Sequence, residues 1–417
     1  MPDLHSILQQ IDGYKDKIIE MQTALTSRIA LGPENNGTGE HDKAAYLKAI
    51  IEKLKPDSFK LVRAPDQRAK DGYRPNLIAR WNGKNKGGPT VWVLSHMDIV
   101  PPGDLSLWTT DPYEVNMDGD KIIGRGVEDN QHGIVSSLIG LMAILESNNR
   151  PVNNVGLVFV ADEETGSKYG LEYLLEQHSN FFSPEDLIIV PDGGNKDGTM
   201  IEVAEKSMLW LKFIVTGRQC HGSTPDKGKN SLYGMARLVV SLNDLKKLFN
   251  QQDELFSPPS STFEATKTES NVPNINTIPG KNIFYMDCHI LPRHKTEDIL
   301  FQVEKIASDI AAELDLDIQT EQTYRQDSTN PTPVDAQVVK VLTKAIRKIK
   351  DLKTRPTGIG GGTVAAFFRR AGIPAAVWIT TQDTAHQPNE YCLLSDIISD
   401  AKIFASVYMD ELDEEGI

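Results

Sequence analysis

Short apolar runs that end in histidine or acidic residues recur along the chain. The first of them, residues 91–94, lies between glycine and proline residues and is followed by His96 and Asp98. A short apolar run bounded by turn residues predicts a buried parallel strand. Side chains two residues apart leave an extended backbone on the same face. Taken alone, a His-x-Asp pair after a strand is more typical of a hydrogen-bonded structural pair than of a metal site.

Three further apolar runs end in the same way, and an apolar helix predicted within residues 121–145 begins beside another acid. The residues at these positions are, in chain order, Asp129, Asp162, Glu163, Glu164, Asp192 and His386. In open α/β sheets the functional crevice lies outside the carboxyl ends of the strands. We therefore expect the side chains that follow the four runs to converge at one edge of a sheet.

The hydrophobic pattern changes between residues 207 and 324. Strand-like alternation in residues 209–223 and 275–292 is mixed there with helical periodicity, whereas residues 256–271 resemble a loop. This texture predicts a small α+β module inserted into a larger domain. The larger domain is expected to be α/β, with a mixed, mainly parallel sheet flanked by helices.

Composition excludes several classes of partner. The 417 residues carry a formal net charge of −14, whereas nucleic acids and anionic membranes require clustered positive charge. The three cysteines are far apart in sequence, so neither a thiolate zinc site nor a disulfide framework is indicated. Neither a signal peptide nor a membrane-spanning run is recognised. We expect a cytoplasmic protein that binds neither nucleic acid nor membrane, with a solvated acidic stretch at residues 410–416.

The residues at the predicted strand ends have the chemistry of metal ligands. Several carboxylates brought together repel one another unless cations neutralise them. Mixed histidine and carboxylate ligands suit zinc, with cobalt or manganese as alternatives, and enough ligands are present for two ions. Of the adjacent Glu163 and Glu164, one is expected to bind metal and the other to face a water molecule as general base.

Seven motifs strengthen this interpretation. In chain order they are SHMDIVPPGD, GRGVEDNQHG, ADEETGS, VPDGG, CHGSTP, NTIPG and AHQPNEY. They resemble the motifs of the family of aminoacylase, acetylornithine deacetylase, succinyl-diaminopimelate desuccinylase and glutamate carboxypeptidase, which are co-catalytic zinc peptidases. The resemblance spans roughly residues 30–400. Seven motifs in family order are far more specific than any one of them.

The resemblance implies an activity and a domain organisation. A catalytic domain of residues 1–206 and 325–417 would be interrupted by a lid and dimerisation domain of residues 207–324. The activity implied is hydrolysis of a peptide or N-acyl amide bond in a small amino-acid-type substrate, by a dipeptidase, an exopeptidase or a deacylase. A homodimer formed through the lid domain is implied as well.

The resemblance also implies a role for individual residues. Asp129 would bridge two zinc ions, one of them also bound by His96 and Asp192, the other by Glu164 and His386. The remaining residues would act as general base (Glu163), as the group that orients His96 (Asp98), as oxyanion donor across subunits (His221) and as substrate-binding residues (Asn276, His289, Arg293, Gly361 and Gly362).

Three positions call for a separate interpretation. Family members usually carry Asp-x-Arg on the last lid strand, whereas YMDCHILPR has His289 there and its next arginine is Arg293. Histidine cannot make the two parallel hydrogen bonds that a guanidinium group makes to a carboxylate. Recognition of a substrate carboxylate is therefore expected to differ from that of other family members. His132 is expected to be solvated or to support a metal ligand. The glycine-rich loop that ends at Gly362 is expected to let the substrate approach the backbone.

Two other functions fit the same residues less well. A catalytically silent, metal-containing binding protein on the same fold is disfavoured because Glu163 and His221 are both present. Metal-dependent phosphoester hydrolysis would require basic phosphate clamps, and none is evident around the motifs.

Overall fold

A computed structural model describes residues 4–85 and 87–411. The chain divides into two compact units. The first unit comprises Met1–Val203, Thr332–Pro356 and Phe367–Ile417, and the second comprises Ala204–Pro331 and Thr357–Ala366. Residues 357–366, which lie within the expected catalytic domain, thus group with the second unit. Most of the acidic stretch 410–416 lies outside the described residues.

The α-helices of the described chain follow one another in this order: α1 (Leu4–Asp12), α2 (Lys15–Thr26), α3 (His41–Lys53), α4 (Gln131–Glu146), α5 (Leu171–His178), α6 (Ser231–Leu242), α7 (Leu245–Leu248), α8 (Thr296–Leu314), α9 (Gln337–Lys350), α10 (Ala365–Arg370) and α11 (Leu394–Tyr408). Within residues 4–85 and 87–411, no helix combines the length and the apolar character needed to cross a membrane.

The β-strands are β1 (Ser58–Pro65), β2 (Tyr73–Trp81), β3 (Thr90–His96), β4 (Asn116–Asp118), β5 (Lys121–Ile123), β6 (Asn154–Val160), β7 (Leu187–Asn195), β8 (Met200–Glu205), β9 (Ser207–Thr216), β10 (Cys220–His221), β11 (Thr262–Thr268), β12 (Thr277–Ile278), β13 (Lys281–Ile290), β14 (Asp317–Gln326), β15 (Arg355–Ile359), β16 (Ala375–Thr380) and β17 (Tyr391–Leu393).

The main sheet has the strand order β1-β2-β6-β3-β7-β16-β8-β15. Its central strands β6, β3, β7 and β16 run parallel, whereas β2 is antiparallel to β6 and β16 is antiparallel to β8. Every residue of β3, β6 and β16 is buried, as expected for parallel strands covered on both faces. The prediction of a mixed, mainly parallel sheet flanked by helices is confirmed.

Two helices of the first unit pack closely against each other. α4 carries no charged side chain before Glu146, and almost all of its residues are buried. It packs against α11. A Cβ atom on Gly140 would lie 2.7 Å from the carbonyl oxygen of Ala401, so only glycine permits this approach of the two backbones.

The second unit contains an antiparallel sheet of order β11-β13-β9-β14. Burial alternates along β9 and β13, and the buried side chains form one core with those of α6 and α8. The short strands β10 and β12 pair separately. The expectation of a loop over residues 256–271 is wrong at β11, an edge strand in which most side chains are polar and exposed.

Candidate metal centre

The carboxyl ends of neighbouring strands bring the predicted ligands together in the first unit. β3 ends at His96, β6 ends just before the turn that holds Glu163 and Glu164, and β7 contains Asp192. β3 lies between β6 and β7 and runs parallel to both. The three strands therefore point their ends at the same edge of the sheet. His386 lies in the loop after β16, the next strand along.

Asp129 stands at the middle of this cluster. Its Oδ1 atom lies 2.8 Å from His96 Nε2, and its Oδ2 atom lies 2.9 Å from His386 Nε2. His96 Nε2 is also 3.5 Å from Asp192 Oδ1, and His386 Nε2 is 3.1 Å from Glu164 Oε2. The five side chains thus form two adjoining groups that share Asp129.

The donor atoms are spaced as the ligands of a cation would be. Atoms of His96, Asp129 and Glu164 lie within 4.8 Å of one another, and so do atoms of His96, Glu163 and Asp192. Zinc binds nitrogen and oxygen ligands at about 2 Å, so the donors around one ion are up to about 4 Å apart. Small movements of these side chains would bring them to that spacing.

The electrostatics of the cluster also fit divalent cations. Burial and the charge of Asp192 raise the pKa of Glu163 well above its usual value. Burial opposes a charged His96 ring, yet Asp192 and Asp129 hold the pKa of that ring well above its usual value. Hydrogen bonds, first to Asp129, raise the pKa of His386 to about 10. Protons thus neutralise acids crowded around two imidazoles, and bound cations would take the place of those protons.

Asp98 fixes the turn that carries the two glutamates. Its carboxylate accepts the backbone N–H of Glu163 at 3.1 Å and that of Glu164 at 3.0 Å. His96 Nδ1 lies 3.1 Å from the backbone carbonyl oxygen of Asp98 and 3.5 Å from its Oδ1. Because a carbonyl oxygen only accepts, Nδ1 carries a proton, and Nε2 is the nitrogen that faces the cluster.

Two acids that the sequence analysis missed join the loops of the cluster. The Glu390 carboxylate accepts three backbone N–H groups, at 3.0–3.1 Å, from the loop that ends at Asp129. The Glu128 carboxylate accepts the backbone N–H of Thr384 at 2.6 Å and its hydroxyl at 2.7 Å. Each loop thus carries an acid that binds the other loop. Their only sequence signal is their place beside Asp129 and near His386 in two of the motifs.

Of two polar residues that follow Asp129, Asn130 contacts the cluster and His132 contacts another acid. Asn130 Nδ2, another contact that the sequence analysis missed, donates to Asp192 Oδ1 at 2.7 Å. His132 is buried and its Nε2 lies 3.1 Å from Asp400. The expectation of a solvated His132 is therefore wrong, and its contact is with an acid outside the predicted ligands.

The predicted oxyanion donor belongs to the second unit. His221 on β10 pairs with Thr277 on β12, and the N–H of Gly222 donates to the carbonyl oxygen of Asn276 at 2.7 Å. His221 and the predicted substrate ligand Asn276 thus lie close together and are exposed. The N–H of Ser223 donates to His221 Nδ1 at 3.1 Å, so the neutral ring carries its proton on Nε2.

The other predicted substrate-binding residues also lie in the second unit. His289 Nδ1 donates to the carbonyl oxygen of Gly360 at 2.6 Å, and its Nε2 is 3.0 Å from Asp287 Oδ2. His289 therefore contacts the glycine-rich loop that continues through Gly361 and Gly362, and both of its nitrogens are engaged. Arg293 instead lies 3.8 Å from an oxygen of Asp253. The predicted metal ligands, Asp98 and Glu163 all belong to the first unit.

Comparisons with known proteins agree with this arrangement. Residues 92–410 match the model of peptidase family M20/M25/M40. The chain is 39% identical over 407 residues to an uncharacterized metallohydrolase of Methanocaldococcus jannaschii, covering 94% of this chain and 98% of that protein. It is 26% identical over 389 residues to a succinyl-diaminopimelate desuccinylase of Rickettsia bellii, covering 89% and 97% of the two chains.

A solved structure shows the same fold. Human carnosine dipeptidase 1 superimposes with a TM-score of 0.73 at 17% identity, over 98% of both chains. With the family match, these findings make the protein a metal-dependent hydrolase of amide bonds. The chain belongs to peptidase family M20/M25/M40.

Proposed function

We propose that the first unit binds two zinc ions, with cobalt or manganese as alternatives. His96, Asp129 and Asp192 would hold one ion, and Asp129, Glu164 and His386 would hold the other. The observation that carries this proposal is the position of Asp129, whose two carboxylate oxygens face different histidines at 2.8 and 2.9 Å. A carboxylate that presents one oxygen to each of two histidine-containing groups suits a shared ligand of a two-metal site.

Glu163 is the proposed general base. Its neighbour Glu164 contacts His386, whereas the Glu163 carboxylate makes no hydrogen bond or ion pair with any residue of the described chain. It nevertheless lies within 4.8 Å of donor atoms of His96 and Asp192. Burial and the charge of Asp192 raise its pKa. Bound cations would lower that pKa and leave the carboxylate ionised, as a general base must be.

The proposed reaction is hydrolysis of a peptide or N-acyl amide bond. Bound divalent ions would polarise the scissile carbonyl group and lower the pKa of a water molecule. Glu163 takes a proton from that water as its oxygen attacks the carbonyl carbon. Glu163 then gives the proton to the leaving nitrogen, so the C–N bond breaks to release a carboxylic acid and an amine. The Nε2–H group of His221, supplied by the second subunit of the proposed dimer, stabilises the tetrahedral oxyanion that forms before the C–N bond breaks.

The substrate is proposed to be a small dipeptide or N-acyl amino acid. Two of the proteins that this chain resembles are named as a desuccinylase and a dipeptidase, which supports both classes. Both nitrogens of His289 are engaged within its own unit. We therefore assign contact with the substrate to Asn276, Arg293 and the loop of Gly361 and Gly362, with His289 bracing that loop.

The decisive experiment replaces the proposed base. Glu163→Gln should keep both metals and lose about 10²- to 10⁴-fold in turnover, because the carboxamide accepts no proton. Its matched control is Glu164→Gln, which should lose metal instead. Metal content and hydrolysis of a panel of N-acyl amino acids and dipeptides, with zinc- and cobalt-loaded protein, measure both effects. Full turnover by Glu163→Gln would overturn the assignment, and a native protein inactive on the whole panel would favour the binding-protein alternative.

The proposed assembly is a homodimer formed through the second unit. α6 exposes an apolar face on which Tyr233 is 71% and Val240 67% accessible. The two residues are seven positions apart, two turns along one side of the helix. Exposed apolar positions of this kind suit contact with a second copy of the chain. A cytoplasmic location is proposed from sequence composition.

A further inference from the structure

We propose that the first unit holds a second ligand site, a cavity at the amino ends of the central strands that takes an aromatic carboxylate. The cavity has a volume of about 1370 Å³, enough for a small organic ligand. Thr90, the first residue of β3, lines it, whereas His96 at the other end of β3 belongs to the metal cluster. Six residues of strand separate the two by about 20 Å. The cavity is therefore distinct from the candidate metal centre.

A row of side chains across the main sheet forms part of the cavity wall. Ser58 pairs with Arg80, Arg80 pairs with Gly156, and Gly156 pairs with Trp92. Residues paired across neighbouring strands project to the same face of a sheet. A Cβ atom on Gly156 would lie 2.0 Å from the Trp92 ring, so the glycine lets the indole lie against the backbone of β6. An aromatic surface and a guanidinium thus share one side of the sheet.

Arg80 supplies a cation that lacks an acceptor. Its Nε atom is buried without a hydrogen-bond partner among the described residues, and its guanidinium forms no ion pair with them. Lys60 pairs with Ile78, one step along the same face, and its ammonium group lies 5.1 Å from the ring centroid of Phe181. A buried donor without an acceptor is unfavourable, and a carboxylate is the acceptor that a guanidinium binds best.

The acids near the cavity leave this positive charge available. Asp186 is buried and accepts the backbone N–H of Thr90 at 2.8 Å and the indole N–H of Trp92 at 2.9 Å. These bonds give the Asp186 carboxylate donors of its own and hold the indole in place. Glu185 is exposed and accepts the hydroxyl of Ser183. Of the described lining residues, Lys60 and Arg80 are basic and Glu185 and Asp186 are acidic. The buried Nε of Arg80 nevertheless finds no acceptor among them, so a ligand carboxylate can supply it.

The rest of the lining selects the kind of anion. Its apolar members include Phe59, Pro89, Trp92, Phe181, Pro184 and Leu187. Aromatic and proline surfaces pack well against a flat ring, and an aromatic ring buries much apolar area at little cost in conformational entropy. A ring that carries a carboxylate therefore matches both the walls and the free cations.

Calorimetric titration of the metal-loaded protein with 2-naphthoate tests the proposal. We expect one equivalent to bind, and the uncharged 2-naphthamide to bind about tenfold more weakly or worse. Arg80→Gln should weaken 2-naphthoate binding by a similar factor. Arg63→Gln is the matched control, because Arg63 lies on the same hairpin outside the cavity and loses the same charge. Ser58→Phe, at an exposed position of the lining, should block binding without disturbing the core.

Three results would overturn the proposal. The first is that 2-naphthoate does not bind. The second is that it binds equally well to the native protein and to the Arg80→Gln and Ser58→Phe variants. The third is that 2-naphthoate inhibits hydrolysis competitively and that Arg80→Gln does not change this inhibition. The last result would place the probe at the metal centre. Circular dichroism checks the fold of each variant, and Ser58→Phe decides the question if Arg80→Gln is unstable. Hydrolysis by Arg80→Gln should equal that of native protein, so this test is independent of the proposed amide hydrolysis.

Discussion

At the scale of single residues, Asp98 provides a measurable support for the metal centre. Asp98→Asn keeps the size of the side chain but offers one oxygen to the two backbone N–H groups of Glu163 and Glu164. The amide group would face the other N–H, so the turn that holds the base and a ligand should shift. We expect metal affinity to fall about 10- to 100-fold. Titration against a chromophoric chelator measures this affinity.

Asp104→Asn is the control for that experiment. Asp104 follows the same strand, but it is exposed and its carboxylate is bound by Ser106 in a short helical turn. The Asp104→Asn variant should bind metal with the affinity of the native protein. Native affinity in Asp98→Asn would contradict the supporting role.

Lys43 gives the protein a pH-dependent stability. It is buried, and burial lowers its pKa from 10.5 to about 8. Between these two values the unfolded chain binds more protons than the folded one, so Lys43 makes the protein more stable as pH rises through this window. The charged amine costs the folded state about 3 kcal/mol below pH 8. Cations in the nearby metal centre would lower its pKa further and keep the same sign.

Lys43→Met should therefore stabilise the protein most at neutral pH. Its advantage over native protein in urea unfolding should be largest at pH 7 and should shrink by about 3 kcal/mol as pH rises toward 10. Lys48→Met, on the same helix but with 44% of the lysine side chain exposed, should show no such trend. An advantage of Lys43→Met that does not change with pH would refute the prediction.

Individual site residues could be predicted where a histidine or an acid comes directly after an apolar run. His96, Asp192 and the acids after β6 were recognisable in this way, and the structure brings them together. Glu128 and Glu390 were not, because their role is to accept backbone N–H groups from a loop more than 250 residues away. These contacts form only when the two loops meet in the folded chain, so no local sequence pattern indicates them.

At the scale of elements, the two ligand loops depend on each other. Glu128→Ala removes the acceptor for the backbone N–H groups of Gln382 and Thr384. The loop that carries His386 should loosen, while the groups around His96 keep their contacts. We expect one metal equivalent to bind as in native protein and the second about 10- to 100-fold more weakly. Stoichiometry after dialysis against limiting zinc measures this split.

A second pair of variants shows whether the split is specific. Glu390→Ala removes the acceptor for the loop that ends at Asp129, the shared ligand, so both equivalents should weaken. Glu114→Ala, at an exposed acid ahead of the loop that ends at Asp129, should leave both equivalents unchanged. Equal weakening of the two equivalents in Glu128→Ala would show that the acid supports the fold in general rather than one loop.

Elements with strong periodicity were predictable and weakly apolar ones were not. Residues 296–314 have the helical periodicity that predicts an amphipathic helix. They form α8, whose apolar stripe faces the core of its unit. The apolar stripe along residues 4–25 predicts one amphipathic surface helix. The structure instead has two helices, α1 and α2, that are separated near Gly13, although the stripe continues across the break. In β11 only Phe263 is buried, so an edge strand with one core residue left almost no alternation to detect.

At the scale of the whole molecule, the inserted module was predictable and its full extent was not. The change in hydrophobic pattern after residue 207 coincides with the first strand of the second unit's sheet. Residues 357–366 join the same unit through contacts distant in sequence, such as the hydrogen bond from the N–H of Gly358 to the carbonyl oxygen of Leu255 at 2.6 Å. The pattern of those residues, a strand followed by glycines, is equally typical of the other unit.

The proposed dimer predicts complementation between two inactive variants. Glu163 lies in the first unit and His221 in the second, and a site built across subunits takes one from each chain. In a mixed dimer of Glu163→Gln and His221→Ala, one site then holds both native residues and the other holds neither. With equal amounts and free exchange, half of the dimers are mixed, so about a quarter of native turnover should return. Each variant alone should stay far below that level.

The complementation test needs proof that subunits exchange. Two different affinity tags and sequential purification isolate the mixed dimer, whose turnover should then approach half of the native value per dimer. Replacing Tyr233, on the exposed face of α6, with aspartate should weaken the dimer and the recovery together, because a charge there opposes burial against a second copy. A purified mixed dimer that stays as inactive as its parents would show that each subunit draws Glu163 and His221 from its own chain.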